Sequence, residues 1–162
     1  MDGQVPELTQ RLLGFVADIG LEWQPAALED STLLPGLDVR DGRLLVDFGR
    51  LQSPGDILHE AGHLAVTPAS ERATLGPEGL GDAGLEMAAI AWSYAACVHL
   101  GVPPEVVFHE HGYKGQSAAI LATLQAGGTI GQPLLDWMGL TRFGRGAAGP
   151  ESYPAMIRWL RD

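Results

Sequence analysis

Residues 87–98 form an apolar run interrupted by Ser93, and this run constrains the fold more than any other feature of the chain. A membrane-spanning helix needs about 20 apolar residues, so the run is too short to cross a bilayer. Asp82 can cap the start of a helix here, and Gly101 follows the point near His99 where the helical pattern ends. We therefore expect a long, buried helix and no membrane span.

Composition narrows the class of protein. The 22 glycines and 11 prolines predict short elements joined by many turns. The net charge is −10, and no cluster of lysine and arginine provides the surface that a phosphate backbone requires, so we expect no nucleic-acid partner.

Cys97 is the only cysteine, which excludes an internal disulfide. The first residues lack the basic-then-apolar order of a signal peptide, and we expect a cytoplasmic protein.

The remaining pattern is mainly helical, with one strong hairpin signal. Asp41-Gly42 lies between two β-forming runs, and tight hairpin turns favour this pair because both central residues adopt positive φ. Ser53 can cap the next helix, with Pro54 in its first turn. We predict an α+β fold, a single helix-rich domain over residues 1–162 with a small antiparallel hairpin. The predicted elements are helices over 6–19, 53–66, 82–99, 117–126, 133–138 and 154–160, strands over 37–40 and 43–48, and a loop over 77–81.

The sequence His59-Glu60-Ala61-Gly62-His63 is an H-E-x-x-H motif inside a predicted helix. Helical residues four apart lie one turn apart on one face, so both imidazoles can reach the same metal ion. Glu60 lies beside that face, where its carboxylate can take a proton from a metal-activated water. The alternative interpretation is a pair of ordinary surface or core histidines.

Two imidazoles hold zinc poorly, so we expect a third protein ligand. Glu86, near the start of the long helix, is the best candidate, because a carboxylate beside so apolar a segment is costly to bury unless it is paired or metal-bound. The helix dipole would also favour an ordinary glutamate in this first turn. Asp82, four residues earlier on the same face, is the alternative ligand.

With these residues the chain resembles the zincin metallopeptidases, and specifically the gluzincin pattern. In that pattern H-E-x-x-H lies on one helix and a glutamate on the next helix is the third ligand. The resemblance covers residues 44–99, including a strand before the motif helix that in zincins helps to bind extended peptide. It implies a zincin-like fold, zinc held by His59, His63 and Glu86, and Glu60 as general base.

The chain departs from related patterns at particular positions. Val66 and Ala69 stand where the metzincin variant has a later glycine and a third histidine, which excludes that variant. Many gluzincins also carry an aspartate four residues beyond the ligand glutamate, where it orients a ligand histidine. This chain has Ile90 there, so the orienting partner must come from elsewhere in the fold.

A second polar cluster, residues 108–115, contains His109, His111 and Tyr113 beside two glycines. In an extended segment the two histidines would point to the same side. They could form a second metal pair, or they could line the active cleft and donate hydrogen bonds to a developing oxyanion, as Tyr113 could. All three are candidate catalytic residues, and the alternative is an ordinary polar loop.

These features predict a zinc-dependent hydrolase that cleaves peptide or other amide bonds, with Glu60 as general base and a peptide or small amide as substrate. The alternative is a zincin-like metal-binding protein with a binding or regulatory role and little or no catalysis. An intact Glu60 argues against a purely structural metal site, because a closed site has no use for a base.

Overall fold

The apolar run forms the longest helix, α4 (Ala83–Leu100), in the computed structural model, which describes residues 4–162. The side chain of Asp82 accepts a hydrogen bond from the N–H of Leu85 (2.9 Å), and Gly101 ends the helix with a left-handed φ of 67°. Trp92, in the middle of α4, is fully buried. The prediction of a capped, buried helix is confirmed, and within residues 4–162 no helix is long and apolar enough to cross a membrane.

The described part of the chain has an α+β fold, as predicted, with six α-helices and three strands. The predicted helices over 6–19, 53–66, 117–126 and 133–138 all form, with ends shifted by a few residues. The predicted loop over 77–81 forms a 3-10 helix. The elements are α1 (Glu7–Asp18), β1 (Glu22–Pro25), β2 (Leu37–Arg40), β3 (Arg43–Val46), α2 (Asp56–Val66), α3 (Ala69–Arg72), α4, α5 (Ser117–Gln125) and α6 (Gln132–Trp137), with 3-10 helices at Pro77–Gly81, Pro104–Val106 and Tyr113–Gly115.

The hairpin forms as predicted, and an unpredicted strand joins it. β2 and β3 pair antiparallel, with positive φ at Asp41 (50°) and Gly42 (72°) in the turn. β1 pairs parallel with β3, so the sheet is mixed and its order is β1-β3-β2. β1 is mostly exposed and ends in a proline. Its sequence therefore lacks the apolar alternation by which a half-buried strand is predicted. Backbone pairing with β3 holds it in the sheet, and Glu22 forms an exposed ion pair with Arg43 (2.6 Å) across the two strands.

The predicted helix over 154–160 is wrong, because this segment follows an irregular path along the helical core. The N–H of Arg161 donates to the carbonyl of Ala65 in α2 (2.9 Å). The indole of Trp92 in α4 donates to the carbonyl of Trp159 (2.9 Å). The N–H of Arg158, which a helix would direct to the carbonyl of Pro154, points instead to the carbonyl of Leu140 (3.5 Å), so tertiary contacts override the local pattern.

Close packing of α2 against α4 places the H-E-x-x-H motif in the core. A Cβ added at Gly62 would lie 3.1 Å from the carbonyl oxygen of Ala89 and 3.2 Å from the ring of Trp92, so a small residue is needed here. The hydroxyl of Ser93 lies 3.2 Å from the carbonyl oxygen of Leu58 on the facing helix. This contact brings the histidine face of α2 to the first turn of α4.

The start of α2 touches the 3-10 helix at Pro104–Val106, and Gly55 is the point of contact. A Cβ here would overlap the carbonyl of Val106, although the φ of Gly55 (−61°) suits any residue. Gly55→Ala is therefore expected to lower the free energy of unfolding by about 1–3 kcal/mol, because the added methyl meets backbone atoms that cannot rotate away. Urea unfolding measures the effect.

The matched control for this prediction is Gly14→Ala on the exposed face of α1. Nothing lies within 4 Å of a Cβ added at Gly14. Alanine should stabilise the protein here by about 0.5–1 kcal/mol through its higher helix propensity. A Gly55→Ala variant as stable as the wild type would contradict the close contact at Val106.

Candidate metal centre

One stretch of α2 brings His59, Glu60 and His63 together. One potential ligand atom from each residue lies within 4.8 Å of the others, and the two imidazole centroids are 5.0 Å apart. Glu60 and His63 are only 2% and 3% exposed, and the His59 side chain is 12% exposed. This buried His-Glu-His group could hold a metal ion.

Glu86, in the first turn of α4, faces both imidazoles. Its Oε2 lies 2.6 Å from Nε2 of His63, and its Oε1 lies 3.4 Å from Nε2 of His59. The alternative candidate, Asp82, is instead used as the cap of α4. One carboxylate therefore contacts two imidazole nitrogens, and all three groups are of kinds that can bind a metal ion.

Glu60 differs from Glu86 because one of its carboxylate oxygens has no hydrogen-bond partner among the described residues. Its Oε1 is buried without a hydrogen-bond partner in the described part of the chain, and it lies 3.8 Å from Nε2 of His59. Burial raises the pKa of Glu60 to about 7; His63 opposes this rise, and the acidic neighbours add to it. A buried, unpaired carboxylate oxygen destabilises a fold, so its presence here points to a functional group.

Two of the neighbouring groups, His59 and Glu86, have pKa shifts that favour metal binding. Burial lowers the pKa of His59 to about 4, so its imidazole is neutral at pH 7 and can offer a lone pair. Burial works against ionisation of Glu86, but its hydrogen bond with His63 and its electrostatic interaction with both imidazole rings lower its pKa overall.

Tyr113 reaches the site from outside the motif. Its hydroxyl lies 2.7 Å from Nδ1 of His59, while the other nitrogen of that ring, Nε2, is the one near Glu86. Burial raises the pKa of Tyr113 well above its usual value, which keeps the phenol neutral. Of the three candidates in the second cluster, Tyr113 is the one that touches the histidine pair.

His109 and His111 do not form the second metal pair considered above. Nε2 of His109 lies 2.6 Å from Oδ1 of Asp56, and its Nδ1 accepts a hydrogen bond from the N–H of His111 (3.2 Å). The His111 side chain is 77% exposed and lies 3.3 Å from Glu110. The segment is not extended, because the chain turns where the N–H of Gly112 donates to the carbonyl of His109 (3.1 Å).

Asp56 is a residue near the site that the sequence analysis missed. It is 5% exposed and lies one turn before Glu60 on the same face of α2. Burial raises the pKa of Asp56, and the contact with His109 partly offsets that rise. The four-residue spacing from Glu60 is the signal that could have found it.

The predicted side-chain cap by Ser53 is absent from this helix start, where the Ser53 carbonyl accepts the N–H of Asp56 instead (3.0 Å).

A cleft of about 350 Å³ lies beside Glu60, between β2 and the 3-10 helix at Pro77–Gly81. The resemblance implied that the strand at residue 44 binds peptide, but that strand, β3, lies between two others and has no free edge. β2 is the edge strand at the cleft. Its outward N–H groups already have partners within the chain. The N–H of Leu37 donates to the carbonyl of Leu34 (3.2 Å), and the N–H of Val39 donates to the carboxylate of Asp38 (2.9 Å).

In comparisons with known proteins, no family model, no curated protein and no solved structure matches this chain.

Proposed function

We propose that this protein is a zinc-dependent hydrolase of amide bonds, in peptides or in other small amides. His59, His63 and Glu86 would hold the zinc ion through two nitrogens and one carboxylate, the kind of set that leaves a position free for catalysis. The observation that carries the proposal is the buried Glu60 carboxylate, whose Oε1 is unpaired among the described residues beside these ligands. A purely structural metal site would leave such a group without a purpose.

Glu60 is placed to act as the base. When bound, zinc supplies Lewis acidity that lowers the pKa of a water molecule towards about 7 and polarises the substrate carbonyl. Glu60 follows His59 directly, so the helix turns it about 100° from the ligand direction, which suits a group beside the reacting atoms. Its raised pKa suits a carboxylate that must accept a proton from water and release it to the leaving nitrogen.

The hydrogen bonding at the edge of β2 favours a short substrate over an extended polypeptide. A peptide that joins a sheet edge takes affinity from the free N–H and carbonyl groups of that edge. Here the outward N–H groups of Leu37 and Val39 are engaged within the chain, and Arg40 holds the Asp38 carboxylate in place (2.9 Å). The cleft beside Glu60 has room for a side chain or a small acyl group.

The engaged N–H groups at this edge also fit one alternative function. A metal-binding protein with a binding or regulatory role and little catalysis would need no strand edge for substrate. It would differ from the hydrolase in holding zinc without cleaving amides.

The test is hydrolysis by zinc-loaded protein of a mixed library of short peptides and N-acyl amides, read by mass spectrometry. We expect cleavage that a chelator stops and that added zinc restores, because the ligands are reversible donors. Substrates of two or three residues should be cleaved faster than extended peptides of about eight, since the engaged N–H groups of β2 offer long peptides little.

Metal analysis of the same sample separates the outcomes. About one zinc per chain with no cleavage of any library member would contradict the hydrolase and support the binding-protein alternative. A chain that binds no zinc would contradict both.

A further inference from the structure

Histidines that bind metals are usually held through their second ring nitrogen as well. The outer N–H donates to a carboxylate, a carbonyl or another acceptor, which fixes the tautomer and the orientation of the ring. The aspartate that the gluzincin pattern would offer is replaced by Ile90, which is 6% exposed in the apolar core. An acceptor for this N–H must therefore come from another element.

We propose that Tyr113 orients His59 for metal binding; the proposal rests on the zinc site proposed above. The hydroxyl of Tyr113 lies 2.7 Å from Nδ1 of His59. When Nδ1–H donates to this oxygen, the lone pair of His59 is at Nε2, the atom that faces Glu86 next to His63. Tyr113 is thus a positioning residue, which acts on the metal through His59.

The surroundings of Tyr113 hold its hydroxyl in place. Its ring stacks on Phe108, with centroids 5.5 Å apart and an angle of 21° between the planes. Tyr113 and Lys114 both have positive φ, at 52° and 55°. Residues other than glycine keep this conformation only where the surrounding structure enforces it. The constrained turn aims the hydroxyl at His59.

A second contact attaches the same loop to α2. His109 bonds Asp56 (2.6 Å), three residues before His59 on the helix. The loop therefore meets α2 at two positions about one turn apart. This double attachment limits the movement of Tyr113 relative to the His59 ring, as a positioning role requires.

The test compares Tyr113→Phe with the matched variant Tyr153→Phe. The first removes the hydroxyl beside His59 and keeps the ring. The second removes a hydroxyl that donates to the carbonyl of Ala91 (2.8 Å), outside the metal centre. In competition with a chromogenic chelator, Tyr113→Phe should weaken zinc binding about 10–100-fold, while Tyr153→Phe should stay within about twofold of the wild type.

The cobalt-substituted proteins give a second readout. The visible absorption of Co²⁺ depends on the geometry of its ligands. We expect Tyr113→Phe to change this spectrum because the His59 ring loses its hydrogen bond, and Tyr153→Phe to leave it unchanged. A general loss of stability would not produce that difference.

Wild-type zinc affinity in Tyr113→Phe would overturn the proposal, and so would an equal loss in both variants. If Tyr113→Phe does not fold, proton NMR of the zinc-loaded wild type decides. A slowly exchanging, downfield Nδ1 proton on His59 supports the hydrogen bond, and its absence overturns it. Zinc affinity is measured without turnover, so a failed search for hydrolysis is distinct from these outcomes. A wild type that binds no zinc overturns both the proposed function and this inference.

Discussion

Glu60→Gln is expected to lower the turnover of the best library substrate by about a hundredfold or more. Glutamine keeps the shape of the side chain and its hydrogen-bonding capacity but cannot accept the proton of the attacking water. Because Glu60 makes no hydrogen bond through its buried Oε1 within residues 4–162, the replacement disturbs no contact at that atom. The measurement is kcat and kcat/KM for wild type and variant at matched zinc loading.

Zinc content is the control for this prediction. His59, His63 and Glu86 remain in the variant, so zinc should bind to the same stoichiometry. A substrate whose turnover is insensitive to Glu60→Gln would rule out Glu60 as the base, even if zinc were required for its cleavage.

The same variant reports on the burial of Glu60 in chelator-treated protein. Burial raises the pKa of Glu60 from 4.5 to about 7 in the folded state. The wild-type fold should therefore lose stability relative to Glu60→Gln as the pH rises from about 4.5 to 7, and remain less stable above that range. Urea unfolding at pH 5 and pH 8 measures the free energy of unfolding of both proteins. A wild type that gains stability relative to Glu60→Gln between pH 5 and pH 8 would contradict the raised pKa.

His63→Ala is expected to abolish stoichiometric zinc binding. Its Nε2 lies 2.6 Å from Glu86, at the centre of the converging donors, and two remaining ligands hold zinc poorly. Glu86→Ala should weaken zinc binding by more than the roughly 10–100-fold loss typical of an outer-sphere partner. Metal analysis after dialysis and chelator competition measure both changes.

Asp82→Ala is the matched control for Glu86→Ala, because the two acids lie one turn apart. Asp82 accepts the N–H of Leu85, so its loss should lower the free energy of unfolding by about 1 kcal/mol and leave zinc bound. Stoichiometric zinc in His63→Ala would contradict the site. Zinc lost in Asp82→Ala but retained in Glu86→Ala would show that Asp82 is the third ligand.

Local signals in the sequence determined much of the fold. The sequence predicts that the helix carrying the apolar run begins at Asp82 and ends before Gly101, and the structure confirms both ends. The Asp41-Gly42 turn determined the hairpin, since its positive φ values suit few other residues. The nearness of His59 and His63 is likewise local, because any helix places residues four apart on one face.

Tertiary structure decided the rest of the candidate site. Glu86 meets the two histidines only because α4 packs closely on α2 at Gly62. Tyr113 meets His59 only through a constrained turn far along the chain. Neither contact follows from a local period. The resemblance implied that Glu86 joins the two histidines, whereas the sequence offered Tyr113 only as a candidate for the cleft, with no partner.

The same reason explains two of the segments that the sequence did not predict correctly, β1 and residues 154–160. β1 is held by backbone pairing with β3 and has almost no apolar pattern of its own. Residues 154–160 have a helical pattern, but their backbone contacts α4 at Trp159, and the next residue, Arg161, bonds α2. Periodicity records which face of a segment is buried, whereas the partner that satisfies its backbone and polar groups is set by the packing of distant elements.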